Sequence, residues 1–190
     1  MLTKLLAQFP DYTVVDRPTP DLIARYRDRV PPELLAVWEQ YGLGTFRAGY
    51  LKIVNPDDYA DLLADTYQLT STPAPAGPVV LFATAMGDLV IWEIDFLSLV
   101  NYRHGTVSII GKRLKFFLQD LTDEVFLTEK LMWEPYLEAR ARLGEPAFDE
   151  CFGYVPLLVL GGPETAEHLE KVKLREHLSL IGQFTGVLER

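Results

Sequence analysis

Cysteine occurs once in the 190 residues, as Cys151, so an internal disulfide and a thiolate metal site are both excluded, in keeping with a reducing compartment. Histidine is nearly as scarce, with only His104, His168 and His177. His168 and His177 stand more than two helical turns apart, too far to share a metal as an i, i+4 pair would. No metal and no cofactor is expected. Long apolar runs are also missing: the most hydrophobic stretch, Val79 to Ala85, is strand-sized, well short of the roughly eighteen residues that span a bilayer. Met1 to Gln8 offers one lysine and a short apolar patch before Pro10 and Asp11, too little for a signal peptide, so a cytoplasmic location is expected. Finally, basic side chains are few. The 18 Lys and Arg against 27 Asp and Glu give a net charge of −9, and phosphate recognition depends on a basic footprint, so direct nucleic-acid binding is not expected. The same charge suits a basic protein partner, because opposite fields speed encounter. It is also what solubility alone would ask for.

What is present is a chain 48% hydrophobic, enough to fill a sizeable core. Leu2 to Phe9 reads as a short amphipathic helix and Asp21 to Arg29 as a second, after the extended Pro18-Thr19-Pro20. Pro31 and Pro32 open a third, in which Leu34, Leu35, Trp38 and Tyr41 share a face and Gly42 closes the helix. Thr45-Phe46 and Tyr50 to Val54 read as strands, and Asn55-Pro56-Asp57-Asp58 caps a helix that runs to about Tyr67. Thr70 to Pro78 is a loop. Val79 to Ala83, Leu89 to Ile94, Leu97 to Tyr102 and Val107 to Ile110 form a meander, turned at Met86-Gly87-Asp88, at Asp95 and at Arg103-His104-Gly105. Helices follow over Lys115 to Asp120, Asp123 to Glu129 and Trp133 to Leu143, then a buried apolar run, Tyr154 to Leu160, readable as a strand. A last helix carries Leu174, Leu178, Ile181, Phe184 and Leu188 at helical spacing.

The expected fold is therefore α+β, a central antiparallel sheet around residues 79–110 with helices before and after it, packed chiefly on one side. Trp38, Tyr41, Phe46, Leu81, Ile91, Trp92, Ile109, Leu178 and Ile181 are expected in its core. Residues 1–110 form an α+β region and 111–190 a mainly helical one, on a continuous core.

Tests for catalytic chemistry give little. Acidic Asp149 and Glu150 beside Cys151 would raise its thiol pKa and make a nucleophilic thiolate scarce. Gly42-Leu43-Gly44-Thr45-Phe46-Arg47 begins like a dinucleotide fingerprint but follows a helix, not a strand, and reads as a turn. Glu93 and Asp95 would share one strand face, the geometry of a general acid and base, but pairs of this kind arise by chance among 27 acids. No catalytic residue is assigned. The less ordinary feature is acidic: Asp57, Asp61 and Asp65 follow at i, i+4 and i+8 with Asp58 beside them, and no Lys or Arg lies between Asn55 and Gln68. Like charges at that spacing cost a few tenths of a kcal/mol per pair in a helix. Such a ridge is either a solvated face or a docking surface for a basic protein. Asp120, Asp123 and Glu124, with Glu129, make a second cluster of the same kind.

Several stretches also resemble a known family when taken together: Leu34-Leu35-Ala36-Val37-Trp38-Glu39-Gln40-Tyr41-Gly42-Leu43-Gly44-Thr45-Phe46, Tyr50 to Pro56, Gly87-Asp88-Leu89-Val90-Ile91-Trp92, and Glu164 to Gln183. They are similar to GAD-like domain proteins with a Tdi1-type C-terminal immunity domain, found beside DNase effectors of bacterial type VI secretion systems. The first part also resembles the wider SMI1/KNR4 superfamily. The resemblance implies an immunity protein, with no catalysis of its own, that binds a cognate secreted nuclease effector. The alternatives are an SMI1/KNR4-like intracellular scaffold with no toxin partner, and a small hydrolase using paired carboxylates in a deep polar pocket.

Overall fold

The computed structural model describes residues 8–70 and 77–190, and the described chain is built on a seven-stranded antiparallel sheet. After β1 (Thr13–Asp16), the Thr19 hydroxyl accepts from the Leu22 amide and starts α1 (Pro20–Tyr26), as a capping residue does. Pro32 opens α2 (Pro32–Tyr41), and Gly42, at φ +82°, closes it and turns the chain directly into β2 (Leu43–Phe46). The stretch that resembles a nucleotide fingerprint is thus a helix cap running into a strand. Then come β3 (Leu51–Ile53), a 3-10 turn at Pro56–Tyr59 capped by the Asn55 side chain, α3 (Ala60–Thr66) and β4 (Tyr67–Gln68).

The meander is β5 (Val79–Thr84), β6 (Leu89–Glu93), β7 (Phe96–Asn101) and β8 (Thr106–Gly111), close to its expected limits. The strand order is β1-β2-β3-β5-β6-β7-β8. Beyond it lie α4 (Leu114–Asp120), α5 (Glu124–Leu131) and α6 (Glu134–Leu143), with Gly144 ending α6 at φ +73°. A two-stranded ladder of β9 (Glu150–Tyr154) and β10 (Leu169–Lys173) precedes α7 (Leu174–Thr185), and β11 (Leu188–Glu189) pairs in parallel with β4.

Helices cover both faces of this sheet. Leu97 and Leu99 of β7 pack in one apolar cluster with Tyr26, Trp38, Phe117, Leu127 and Tyr136, from α1, α2, α4, α5 and α6. Leu89, Ile91 and Val100 point the other way, into a second cluster with Leu62, Leu63, Leu178 and Ile181 from α3 and α7, as period-two alternation requires. The expectation that helices pack chiefly on one side is corrected accordingly. The signal was in the sequence: Val79-Val80-Leu81-Phe82-Ala83 is apolar without alternation and buried throughout, the mark of a strand covered twice.

Trp38, Phe46, Leu81, Ile91, Leu178 and Ile181 are buried as expected. Tyr41 and Trp92 are half-buried, and Ile109 is exposed because β8 is an edge strand in which only Ile110 is buried. Two other expectations fail. The apolar run Tyr154 to Leu160 is the end of β9 followed by an exposed 3-10 turn at Leu158–Leu160. The last helix stops at Gly186, leaving Phe184 exposed and Leu188 in a strand. The helix expected over Leu2–Phe9 and the loop over Thr70–Pro78 lie largely outside the described residues.

Candidate partner-binding surface

The seven carboxylates singled out by charge are all exposed, and the fold sorts them. Asp57 and Asp58 lie in the 3-10 turn and only Asp61 and Asp65 in α3, so the ridge is not one continuous helix face. Cations from distant parts of the chain also reach it. Asp57 accepts from Arg25 at 2.5 Å and from the Tyr26 hydroxyl at 2.7 Å. Asp61 is paired with Arg175 of α7, which holds its carboxyl below the usual range, while Arg175 also donates to the Asp58 backbone carbonyl at 2.9 Å. Burial first, then neighbouring Asp57, pushes the Asp58 carboxyl up. Asp61 and Asp65 border an open polar groove of about 320 Å³ between α3 and α7.

The second cluster belongs to the opposite layer, since α4 and α5 pack on the other face of the sheet from α3. Asp123 caps α5 by accepting from the Val125 amide at 2.9 Å, and Glu124, in the first turn, pairs with Arg47 at 3.1 Å. Both are where the helix dipole favours negative charge. Asp120 ends α4, and burial, then Asp123, pushes its carboxyl up. The structure therefore brings the seven residues together in two groups, not in one surface.

The groups tested for catalysis take structural positions. Cys151 is buried, and that burial pushes its thiol to about 12, with Lys52 opposing; burial, more than the neighbouring acids, is the main cause. Glu93 is buried, accepts from the Tyr67 hydroxyl at 2.5 Å and forms an ion pair with Arg190 at 2.8 Å. Asp95 is exposed in the β6–β7 turn at φ +63°, so the two do not form a working carboxylate pair. His104 lies 2.7 Å from Glu164 and His168 3.0 Å from Thr165. His177 is buried on α7, where burial lowers its pKa. Among the described residues no group of three or more His, Cys, Asp or Glu is placed to hold a metal, and no helix is long and apolar enough to cross a membrane.

Charge in the core was not legible in the sequence. Arg103, read as a turn residue, is buried and grips Asp88 of the β5–β6 turn at 2.6 Å and 3.1 Å. Its remaining donors face the Leu131 and Met132 carbonyls at 3.4 Å. Lys52 is fully buried and donates to the carbonyls of Ala147, Phe148 and Glu150. Both cations fasten the sheet to the segment after it.

Comparison with known proteins agrees with this architecture. The GAD-like domain family model matches residues 1–103, more than half of the chain. The model described as T6SS immunity protein Tdi1, C-terminal, matches residues 112–185. The crystal structure of Atu4351 from Agrobacterium tumefaciens is similar with a TM-score of 0.80 at 20% identity, over 96% of this chain and 89% of that one; at that identity the likeness speaks for the fold. No curated protein matches the chain. The Tdi1-type match points to a role in type VI secretion immunity. The chain belongs to the GAD-like domain family and carries after that domain a segment of the Tdi1 C-terminal type.

Proposed function

We propose that this protein is an immunity protein that binds a cognate type VI secretion nuclease effector, a basic protein, and stops its DNA cleavage by protein–protein contact. The match of residues 112–185 to the Tdi1 C-terminal domain carries this reading. The acidic surface supports it: a net charge of −9 attracts a basic partner and raises the rate of productive encounter. In this reading the protein acts in the cytoplasm of the effector-producing cell, by capture and without catalysis of its own. Asp58, Asp65 and Asp120, with Asp57, Asp61, Asp123 and Glu124, supply the long-range field. The ion pairs to Arg25, Arg175 and Arg47 leave part of that field to act outward.

The test is to mix the purified protein with the effector encoded beside its gene and to follow DNA cleavage. Stoichiometric loss of cleavage, with a complex recovered on gel filtration, is the expected result. Unchanged cleavage and no complex would rule the reading out.

A further inference from the structure

The run Tyr154 to Leu160 was expected to be buried, and only Tyr154 and Leu157 are. Val155, Val159 and Leu160 are 42%, 43% and 57% exposed. They sit on an ordered turn, in which the Leu160 and Gly162 amides donate to the Leu157 carbonyl at 3.0 and 3.1 Å and the Gly161 amide to that of Leu158 at 2.9 Å. A Cβ on Gly162 would lie 2.0 Å from the Pro156 carbonyl oxygen, so the closeness of the turn depends on glycine there. The apolar side chains are thus presented on a preformed support, and little ordering remains to oppose binding.

The neighbouring flank of α7 continues the patch. His177 and Ile181 line a water-sized cavity beneath the turn with Leu157, Leu158 and Val159. Leu180 and Phe184, 43% and 50% exposed, follow His177 at i+3 and i+7 and so share its stripe. Exposed apolar side chains gathered from two elements mark an interaction site more often than a bare surface.

The rim of this patch is acidic. Glu164 and Glu167 follow the turn, and Glu134 and Glu138 of α6 face them across an open basin of about 500 Å³. Tyr154 lines both the basin and the cavity under the turn. It is 2% exposed, and that burial raises the pKa of its hydroxyl while the charge of Arg103 opposes the shift.

We propose that the 155–162 turn, the Leu180–Phe184 flank of α7 and the four glutamates form the docking surface for a basic protein. An apolar side chain of the partner seats against Val159, Leu160 and Phe184, and its lysines or arginines face Glu134, Glu138, Glu164 and Glu167. A second copy of this chain fits poorly, since it would set glutamates against glutamates. The inference rests on the proposed capture of a basic effector and assigns the contact that holds the complex to this surface, while the Asp57–Asp65 ridge acts on encounter.

The experiment measures association and dissociation rates of the full chain with the purified, catalytically inactivated effector encoded beside its gene, at two salt concentrations. Leu160→Asp is expected to weaken binding by about tenfold or more, chiefly through faster dissociation, as loss of a central anchor does. Glu134→Lys with Glu138→Lys is expected to slow association and flatten its salt dependence. Asp58→Lys with Asp65→Lys is expected to leave dissociation unchanged. Leu160→Ser, with a melting curve matching the parent, carries the test if the aspartate variant does not fold. If the parent binds and the loop and glutamate variants bind equally well, this surface is not the interface and the immunity reading stands. If the parent does not bind, both fall. Self-association of the free chain that Leu160→Ser abolishes would assign the patch to a second copy and overturn the proposal.

Discussion

Asp88 and Arg103 show at the scale of single residues why a turn motif can conceal a core contact. Each sits in a hairpin turn by local pattern, yet the fold stacks the two turns and buries the charges against each other. Asp88→Ala leaves the guanidinium without its counter-ion, and losing one member of a buried pair costs about 3–5 kcal/mol, to be read from urea unfolding midpoints. A midpoint unmoved by the change would mean that solvent reaches Arg103. His177 supplies a pH-dependent term. Burial holds its folded pKa below the ordinary value of 6.5, so as pH falls through that value the unfolded chain takes up a proton that the folded chain does not. Stability from this group is full above pH 6.5 and declines below it, a slope that His177→Gln should flatten near pH 6 in urea titrations. Gly153 makes room for the same ring: a Cβ there would come within 2.4 Å of it. Gly153→Ala should therefore destabilise by about 1–3 kcal/mol, the usual cost of overpacking. Neither pairing was legible in the sequence, because each joins residues that local spacing does not relate.

At the scale of elements, legibility followed the strength of the periodic or capping signal. The α2 helix, the Asn55 cap and the four meander strands stand close to where the sequence predicts them, since prolines, glycines and β-branched runs act locally there. Elements decided by tertiary contact were missed. Leu169-Glu170-Lys171-Val172-Lys173 is polar and largely exposed, and is a strand only because β9 lies beside it. The turn after Tyr154 is apolar, so its composition suggests burial, but the described residues leave Val159 and Leu160 exposed. The α3–α7 crossing rests on Gly182, whose Cβ would lie 2.6 Å from the Thr66 methyl group. Gly182→Leu should push these helices apart and lower the melting temperature, whereas Gln183→Leu, an exposed neighbour, should leave it nearly unchanged. Equal melting curves for the two variants would show that α7 tolerates displacement.

Over the whole molecule, the two segments matched by different families are joined through buried contacts. The Tyr50 hydroxyl donates to Leu131 at 2.7 Å, Lys52 to the carbonyls around Ala147, and the Phe152 amide to Ala85 at 2.7 Å. The ring of Tyr136 packs on both Tyr50 and Phe152. Cutting the chain after Gly111 would strip α4, α5 and α6 from one face of the sheet and α7 from the other. A Lys52 ammonium would lose its three carbonyl acceptors at the same time. We therefore expect residues 8–111 alone to lack a cooperative unfolding transition, and the full chain to unfold in one step with coincident fluorescence and circular-dichroism curves. Two resolved transitions in the full chain, or a cooperative melt of the fragment, would show that the GAD-like segment is an independent domain. A single transition would mean that the C-terminal segment, with its proposed docking surface, is held in place by the sheet before any partner arrives.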